Sequence, residues 1–309
     1  MKIIITGGSG FIGQHLLKAL APHNELWVMS RTPAKTQHRL ANQGIEVRGF
    51  SLEQLADLDG FDAVINLAGE PIADKRWSEK QKRKICHSRW HITETLSHWV
   101  AQCQQPPHTV LSASAIGIYG NSLDTVDEHT ELSIDNRDFA QQVCQTWEYL
   151  AAPMQQHTRL AIVRIGLVLG DGGMLKKMVP AFKLGLGGKL ASGKQGMSWI
   201  HIDDLVGLFI HLLNDKACDG LYNGTAPQPV SNQQFTDALA HSVKRPALLP
   251  APAPLLKLAL GEMSQLLLEG QYVRPTRALE SNFQFQYPSL EQALSQLLEA
   301  KCKGTLSRA

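Results

Sequence analysis

The chain has 309 residues, 43% of them hydrophobic and 19% charged, a composition that belongs to a globular protein able to bury a substantial core rather than to a disordered or fibrous one. Its 30 basic and 28 acidic residues are interspersed for a formal charge of +2, so the electrostatic footprint that nucleic acids select is missing. No run reaches the ~18 apolar residues of a membrane span, and Met1-Lys2-Ile3-Ile4-Ile5-Thr6 opens without a longer apolar leader, so neither nucleic acid nor a membrane is an expected partner.

Five scattered cysteines (Cys86, Cys103, Cys144, Cys218, Cys302) form no CxxC pair, and the 12 histidines show no metal-ligand spacing. This argues against a disulfide framework and a zinc site, and fits a reducing, cytoplasmic compartment.

In chain order, short apolar runs at 2–6, 26–30, 47–50, 63–67, 109–112 and 160–165 read as buried strands. They alternate with amphipathic stretches at 11–20, 78–102 and 138–154, the last with Asp138 as N-cap. Such alternation predicts an α/β fold: a doubly wound parallel sheet of the Rossmann type. Past Gly170 the pattern loosens into Gly-rich loops, a helix from Asp203 and a Pro-rich linker from Pro246 to Pro254. We expect a nucleotide-binding domain over 1–170 plus about 203–224, because Gly220-Leu221-Tyr222-Asn223 reads as a strand returning to the first sheet. A smaller α/β substrate lobe takes 171–202 and 225–309.

The first strand runs straight into Gly7-Gly8-Ser9-Gly10-Phe11-Ile12-Gly13, which opens the first helix. Gly7 permits a tight turn, Gly10 lets a phosphate approach the backbone, and Gly13 lets helix and strand pack closely. The amides and dipole of that helix N-terminus then face an anion. The spacing alone would be a common turn; its setting between strand and helix makes it a pyrophosphate site. At the end of the second strand, where an acid would bind the ribose 2′-hydroxyl of NAD, the chain has Ser30-Arg31. A guanidinium fork there suits a 2′-phosphate, so NADP(H) is the expected cofactor. Asn66-Leu67-Ala68-Gly69-Glu70 follows the fourth strand, with small residues that let the backbone pass close to a flat ring. The basic stretch from Lys75 to Lys84 reads as the solvated face of a helix, with a phosphate contact as the alternative.

These motifs, with Ser112-Ala113-Ser114-Ala115-Ile116-Gly117-Ile118-Tyr119-Gly120 and Trp199-Ile200-His201-Ile202-Asp203-Asp204, resemble the extended short-chain dehydrogenase/reductase superfamily, and within it the atypical SDR39U1-like "epimerase family" branch with a small C-terminal domain. The resemblance implies that Ser30, Arg31, Leu67, Ala68, Arg89 and Val168 line an NADP site together with Gly7, Gly10, Phe11, Ile12, Gly13 and Gly69. Surface exposure is the alternative for Arg89, and strand packing for Val168.

The superfamily normally works with a tyrosine and a lysine four residues later, which share a helix face and lower the phenol's pKa. Here the corresponding helix has neither: the positions are Ala140 and Cys144, and no lysine occurs between Lys84 and Lys176. Ser114 and Tyr119 are the candidate replacements, Ser112, Trp199 and His201 candidate substrate contacts. Bonding to buried loop backbone is the alternative for the serines and tyrosine, and a turn before an N-capping Asp203 the alternative for His201. Two functions follow: an NADP(H)-dependent oxidoreductase or epimerase of a small substrate, or an NADP(H)-binding regulator without catalysis.

Overall fold

The computed structural model describes residues 1–55, 57–132 and 138–306, the side chains from 300 onward excepted, so Cys302 lies outside the described side chains. Seven parallel strands form the central sheet: β1 (Lys2–Thr6), β2 (Glu25–Met29), β3 (Arg48–Phe50), β4 (Ala63–Asn66), β5 (Thr109–Ala115), β7 (Arg159–Ile165) and β11 (Gly220–Gly224), in the order β11-β7-β5-β4-β1-β2-β3. The chain reverses direction across the sheet between β1 and β4, and a doubly wound sheet offers its ligand crevice at the carboxyl ends flanking such a switch.

Alternation along each strand feeds two cores. Ile3 and Ile5 join Leu16 and Leu17 of helix α1 (Phe11–Leu20) and Leu205 and Phe209 of α6 (Ile202–Asn214). Ile4 points the other way, to Leu96 and Trp99 of α3 (Glu79–Gln102) and to Val110 and Ile162. Each such side chain, buried, contributes about 1.5–3 kcal/mol. Beside α3 lies α4 (Phe139–Ala151); α2 (Pro33–Ala41) covers the β2–β3 edge.

Helix starts follow side-chain chemistry. Ser78 caps α3 by accepting from the Gln81 amide, and Asp138 and Gln141 form a reciprocal capping box on α4. Helix α6 begins one residue earlier than expected, because its cap is His201, whose Nδ1 accepts from the Asp203 amide at 3.1 Å. Asp203 and Asp204 sit instead in the first turn, where the helix dipole favours them. Strand β5 runs three residues beyond the expected 109–112, since its whole length pairs with β7, from Thr109↔Arg159 to Ala115↔Ile165. The small residues Ser-Ala-Ser-Ala hid that extension. As expected, the strand at 220 returns to the sheet, parallel to β7.

The second lobe holds β8 (Leu167–Leu169) paired with β10 (Trp199–His201), and β9 (Gly196–Met197) paired with β12 (Val230–Ser231). Around them pack α5 (Gly173–Lys183), α7 (Asn232–Ser242) and α11 (Leu290–Leu306), with Leu175, Trp199, Phe235, Leu239 and Leu294 in a core of their own. A short pair, β6 (Thr125–Val126) with β13 (Tyr272–Val273), joins the lobe to the first domain. The short helices α8 (Ala253–Leu260) and α9 (Gln265–Leu268) lie before β13, and α10 (Thr276–Glu280) after it. No described helix is long and apolar enough to cross a membrane.

Candidate cofactor and active site

At the carboxyl end of β1 the three glycines differ in what surrounds them. Gly7 has φ +67°, and a Cβ there would lie 2.4 Å from the Leu67 carbonyl. A Cβ on Gly13 would lie 2.4 Å from the Gly7 carbonyl. Gly10, the N-cap of α1, is exposed; a Cβ there would meet only the Gly7 carbonyl, at 3.2 Å. No side chain caps the helix at Gly10, so its first amides, from Phe11, Ile12 and Gly13, are left for an external acceptor. Ile12 is half-buried against the first core. The Phe11 ring packs on Gly170 and Gly172, tying this helix end to the turn before α5.

Thr6 couples the glycine loop to the loop after β4. Its hydroxyl donates to Asn66 Oδ1 (2.6 Å) and accepts from the amides of Leu67 and Ala68 (3.1 Å each). Gly69 rests on the Arg89 guanidinium, and Arg89 Nη1 donates to the carbonyls of Glu70 and Ile85 (3.0 Å each). Arg89 is therefore half-buried beneath this loop and stacked over Trp147, with burial pulling its pKa below the ordinary value. Arg31 is exposed at the end of β2, while the Ser30 hydroxyl orders the turn by bonding Thr36 Oγ1 and the Thr32 amide. Val168 lies half-buried on β8, against the first core.

The register of β5, β7 and β11 sets Ser114, Arg164 and Asn223 side by side. Arg164 is buried and forms a two-pronged pair with Glu148 of α4 (2.9 and 2.8 Å). Burial opposes the guanidinium's charge, but the bonds and charge of Glu148 outweigh it and hold the pKa above its ordinary value. Ser114 donates to Glu148 Oε1 (2.6 Å), and the Tyr119 hydroxyl accepts from Arg164 (3.0 Å) while donating to Asn223 Oδ1 (2.9 Å). Neither candidate hydroxyl is free: Ser114 is buried, and Tyr119 has both sides of its oxygen engaged. Burial raises the Tyr119 pKa, with Arg164 opposing.

Three further expectations need correction. Ser112 is fully buried beneath Asn66, whose Nδ2 donates to it (3.3 Å), and touches no cleft. Trp199 and His201 are also fully buried, Trp199 in the core of the second lobe and His201 against Tyr287 and Gln296. The His201 ring lies 3.9 Å from that of Tyr287, and Nε2 donates to Gln296 Oε1 (3.1 Å) while Nδ1 accepts from Asp203, a pattern that requires the neutral tautomer. Burial accordingly lowers its pKa.

Ala140 and Cys144 of α4 face the loop after β5: a Cβ on Gly117 would meet Ala140 Cβ at 3.4 Å and Cys144 Sγ at 3.9 Å. Burial, with the charge of Glu148 adding to it, pushes the Cys144 thiol up to about 12, so it stays protonated. A cavity of roughly 460 Å³ in the second lobe is lined by Ala191, Lys257, Gln265 and Glu269, whose carboxyl is held above its ordinary pKa by burial. A groove between α3 and α4, lined by His98 and Tyr149, lies toward the opposite end of the sheet.

Two residues escaped the sequence reading. Arg39 of α2 reaches the Ser9 carbonyl (3.4 Å) and so stands on the Arg31 side of the glycine loop; the acid-free stretch from Leu26 to Ile45, with Arg31, Lys35 and Arg39, was its signal. Arg164, a charge inside an apolar strand, announced a buried partner. The basic run from Lys75 is only partly solvated, since Lys82 pairs with Glu262 at 2.5 Å. The fold also gathers His211, Asp215 and Cys218, ligand atoms within 4.8 Å, although their spacing did not read as a metal site. His211 Nε2 already faces Ser281 Oγ (3.1 Å) and Asp215 accepts from the Ala217 amide (2.9 Å).

A parallel doubly wound sheet with this glycine loop at its switch point defines a dinucleotide-binding fold, and the model of the NAD-dependent epimerase/dehydratase family matches residues 3–223, so the chain belongs to that family. A second model, a domain of unknown function (DUF1731), matches residues 251–297. The chain is 38% identical to an Arabidopsis thaliana chloroplastic SDR39U1 homologue, over 97% of this chain and 87% of that protein, and 36% identical to Bacillus subtilis YfhF, over 96% and 98%. The crystal structure of human SDR39U1 isoform 2 with NADPH superposes with a TM-score of 0.88 at 32% identity, covering 97% of this chain and 99% of that one.

Proposed function

We propose that this protein binds NADP(H) in preference to NAD(H) in a reducing, cytoplasmic compartment, and uses it as an oxidoreductase or epimerase on a small substrate without a Tyr-Lys pair. The observation that carries the cofactor choice is Arg31, exposed at the end of β2 where an acid would select the 2′-hydroxyl, with Arg39 on the same side of the loop. The human relative's solved structure holds NADPH, which agrees with this reading. The cradle fits the group: Gly10 leaves open the space a Cβ would fill, and the α1 amides have no cap. Bound there, the cofactor would supply redox chemistry at its nicotinamide; the residues of this chain would hold its phosphates and exclude water.

Calorimetry should show NADPH binding roughly ten- to a hundredfold more tightly than NADH, the equivalent of about 1.5–3 kcal/mol for charge-assisted bonds to phosphate. Arg31→Ala should collapse the difference and Arg39→Ala reduce it. Equal wild-type affinities would refute the preference.

Interconversion of UDP-glucose and UDP-galactose is expected to fall far below the ~10 s⁻¹ typical of enzymes, because positioned acid–base groups supply about 10²–10⁴ in rate. Cys144→Lys should not create that activity, since the tyrosine it would serve is Ala140. Ordinary turnover by the wild type would end this reading. The same pair of residues, an alanine and a protonated thiol, favours the second reading, a cofactor-holding regulator. Consumption of NADPH absorbance in a metabolite screen separates the two.

A further inference from the structure

Ten large apolar side chains are exposed among the described residues, and six of them cluster in two segments: Leu184, Leu186, Leu248, Leu249, Leu255 and Leu258, each 53 to 79% exposed. The segments run side by side. The Leu249 amide donates to the Gly187 carbonyl (3.2 Å), the Ala251 amide to Lys189 (2.9 Å), the Ala191 amide to Ala251 (2.9 Å), and Arg245 Nε to Lys183 (3.3 Å). Gly185, at φ +72°, makes the turn that carries Leu184 and Leu186, and α8 carries Leu255 and Leu258 without burying a single residue. Contiguous apolar surface of this kind marks an interaction site.

Charge indicates the partner. From Gly172 to Ile202 there are five lysines and no Asp or Glu; from Ala238 to Gly261 there are Lys244, Arg245 and Lys257, and again no acid. Against a chain whose overall charge is +2, these two segments are wholly cationic. Lys177 pairs with Asp74 at 2.6 Å, Arg245 is bonded to the Lys183 carbonyl and Lys257 lies near Glu269; the other cations of the two segments form no ion pair among the described residues. We propose that this edge of the second lobe docks on an anionic lipid bilayer. Leucines projecting from a turn and a helix, rather than lining a groove, suit insertion among acyl chains, and the surrounding lysines suit anionic headgroups. That no described helix is long and apolar enough to span is compatible with this, because such a surface lies on a bilayer without crossing it. It replaces the expectation, drawn from spans alone, that a membrane is no partner.

The test is flotation of the full chain with vesicles of phosphatidylcholine alone and of phosphatidylcholine mixed with phosphatidylglycerol, at low and at high salt. Binding to the anionic vesicles at low salt, weakened by high salt and lost with phosphatidylcholine alone, is the expected result. Leu184→Ser/Leu248→Ser/Leu258→Ser should weaken it more than tenfold, and Lys183→Glu and Lys244→Glu each by about fivefold. Thermal melting and NADPH affinity should be unchanged in all three. Failure to float with anionic vesicles at low salt would overturn the proposal, as would undiminished flotation of the leucine variant. A dimer in sedimentation velocity that dissociates in that variant, without flotation of the wild type, would assign the patch to a second copy of the chain instead.

Discussion

Gly10→Val is expected to abolish measurable NADPH binding while leaving the fold intact. Gly10 sits at φ −78°, ψ 177°, a conformation open to any residue. An added Cβ there meets only the Gly7 carbonyl, which must yield by a few tenths of an ångström. The valine's branches would instead fill the approach to the α1 amides, which donate to the pyrophosphate in our reading. Losing two charge-assisted bonds at about 1.5–3 kcal/mol each costs at least a hundredfold in affinity. Gly13→Val differs in kind: its Cβ would fall 2.4 Å from one backbone atom and 2.6 Å from another, so that variant should lose the fold itself. Calorimetry beside a thermal melt distinguishes the two. Wild-type affinity in Gly10→Val would mean that the loop does not hold the phosphates.

Arg164→Met is expected to cost about 3–5 kcal/mol of stability, the usual effect of removing one member of a buried ion pair and stranding the other. The side chains are 2% and 12% exposed, so solvent screens the pair little. Among the described residues Glu148 would keep the Ser114 hydroxyl as its hydrogen-bond donor, and Tyr119 would lose one. Arg164→Met combined with Glu148→Leu should recover much of the loss, because no uncompensated charge then remains. Urea unfolding of the three variants measures this; a single variant within about 1 kcal/mol of wild type would show that water reaches the pair.

Much of the backbone geometry of the glycine loop was legible because its determinants are local. Three glycines between a strand and a helix act through backbone atoms a few residues away, and Arg31 is placed by the end of its own strand. The expected helix at 11–20 and the cap at Asp138 agree with the structure for the same reason. The active-site half depends on which strands adjoin. That Ser114 meets Glu148 and Tyr119 meets Arg164 follows from the β5–β7–β11 register, which no spacing along the chain records. Trp199 and His201 look like cleft residues in sequence because aromatic and imidazole groups line clefts. They are buried because the second lobe closes over β10, a decision made by Tyr287 and Gln296 nearly a hundred residues away.

The late arrival of β11 bears on how the protein is made. When a ribosome has released the chain as far as Asp171, six of the seven strands exist, and β7 is a bare edge. That edge carries Arg164, and the Asn223 that completes the Tyr119 bonding has not yet been synthesised. Unpaired edges of this kind invite pairing with other nascent chains until the missing strand arrives. The central sheet therefore closes only after the chain has left it for residues 171–202 of the second lobe and returned through α6 to β11.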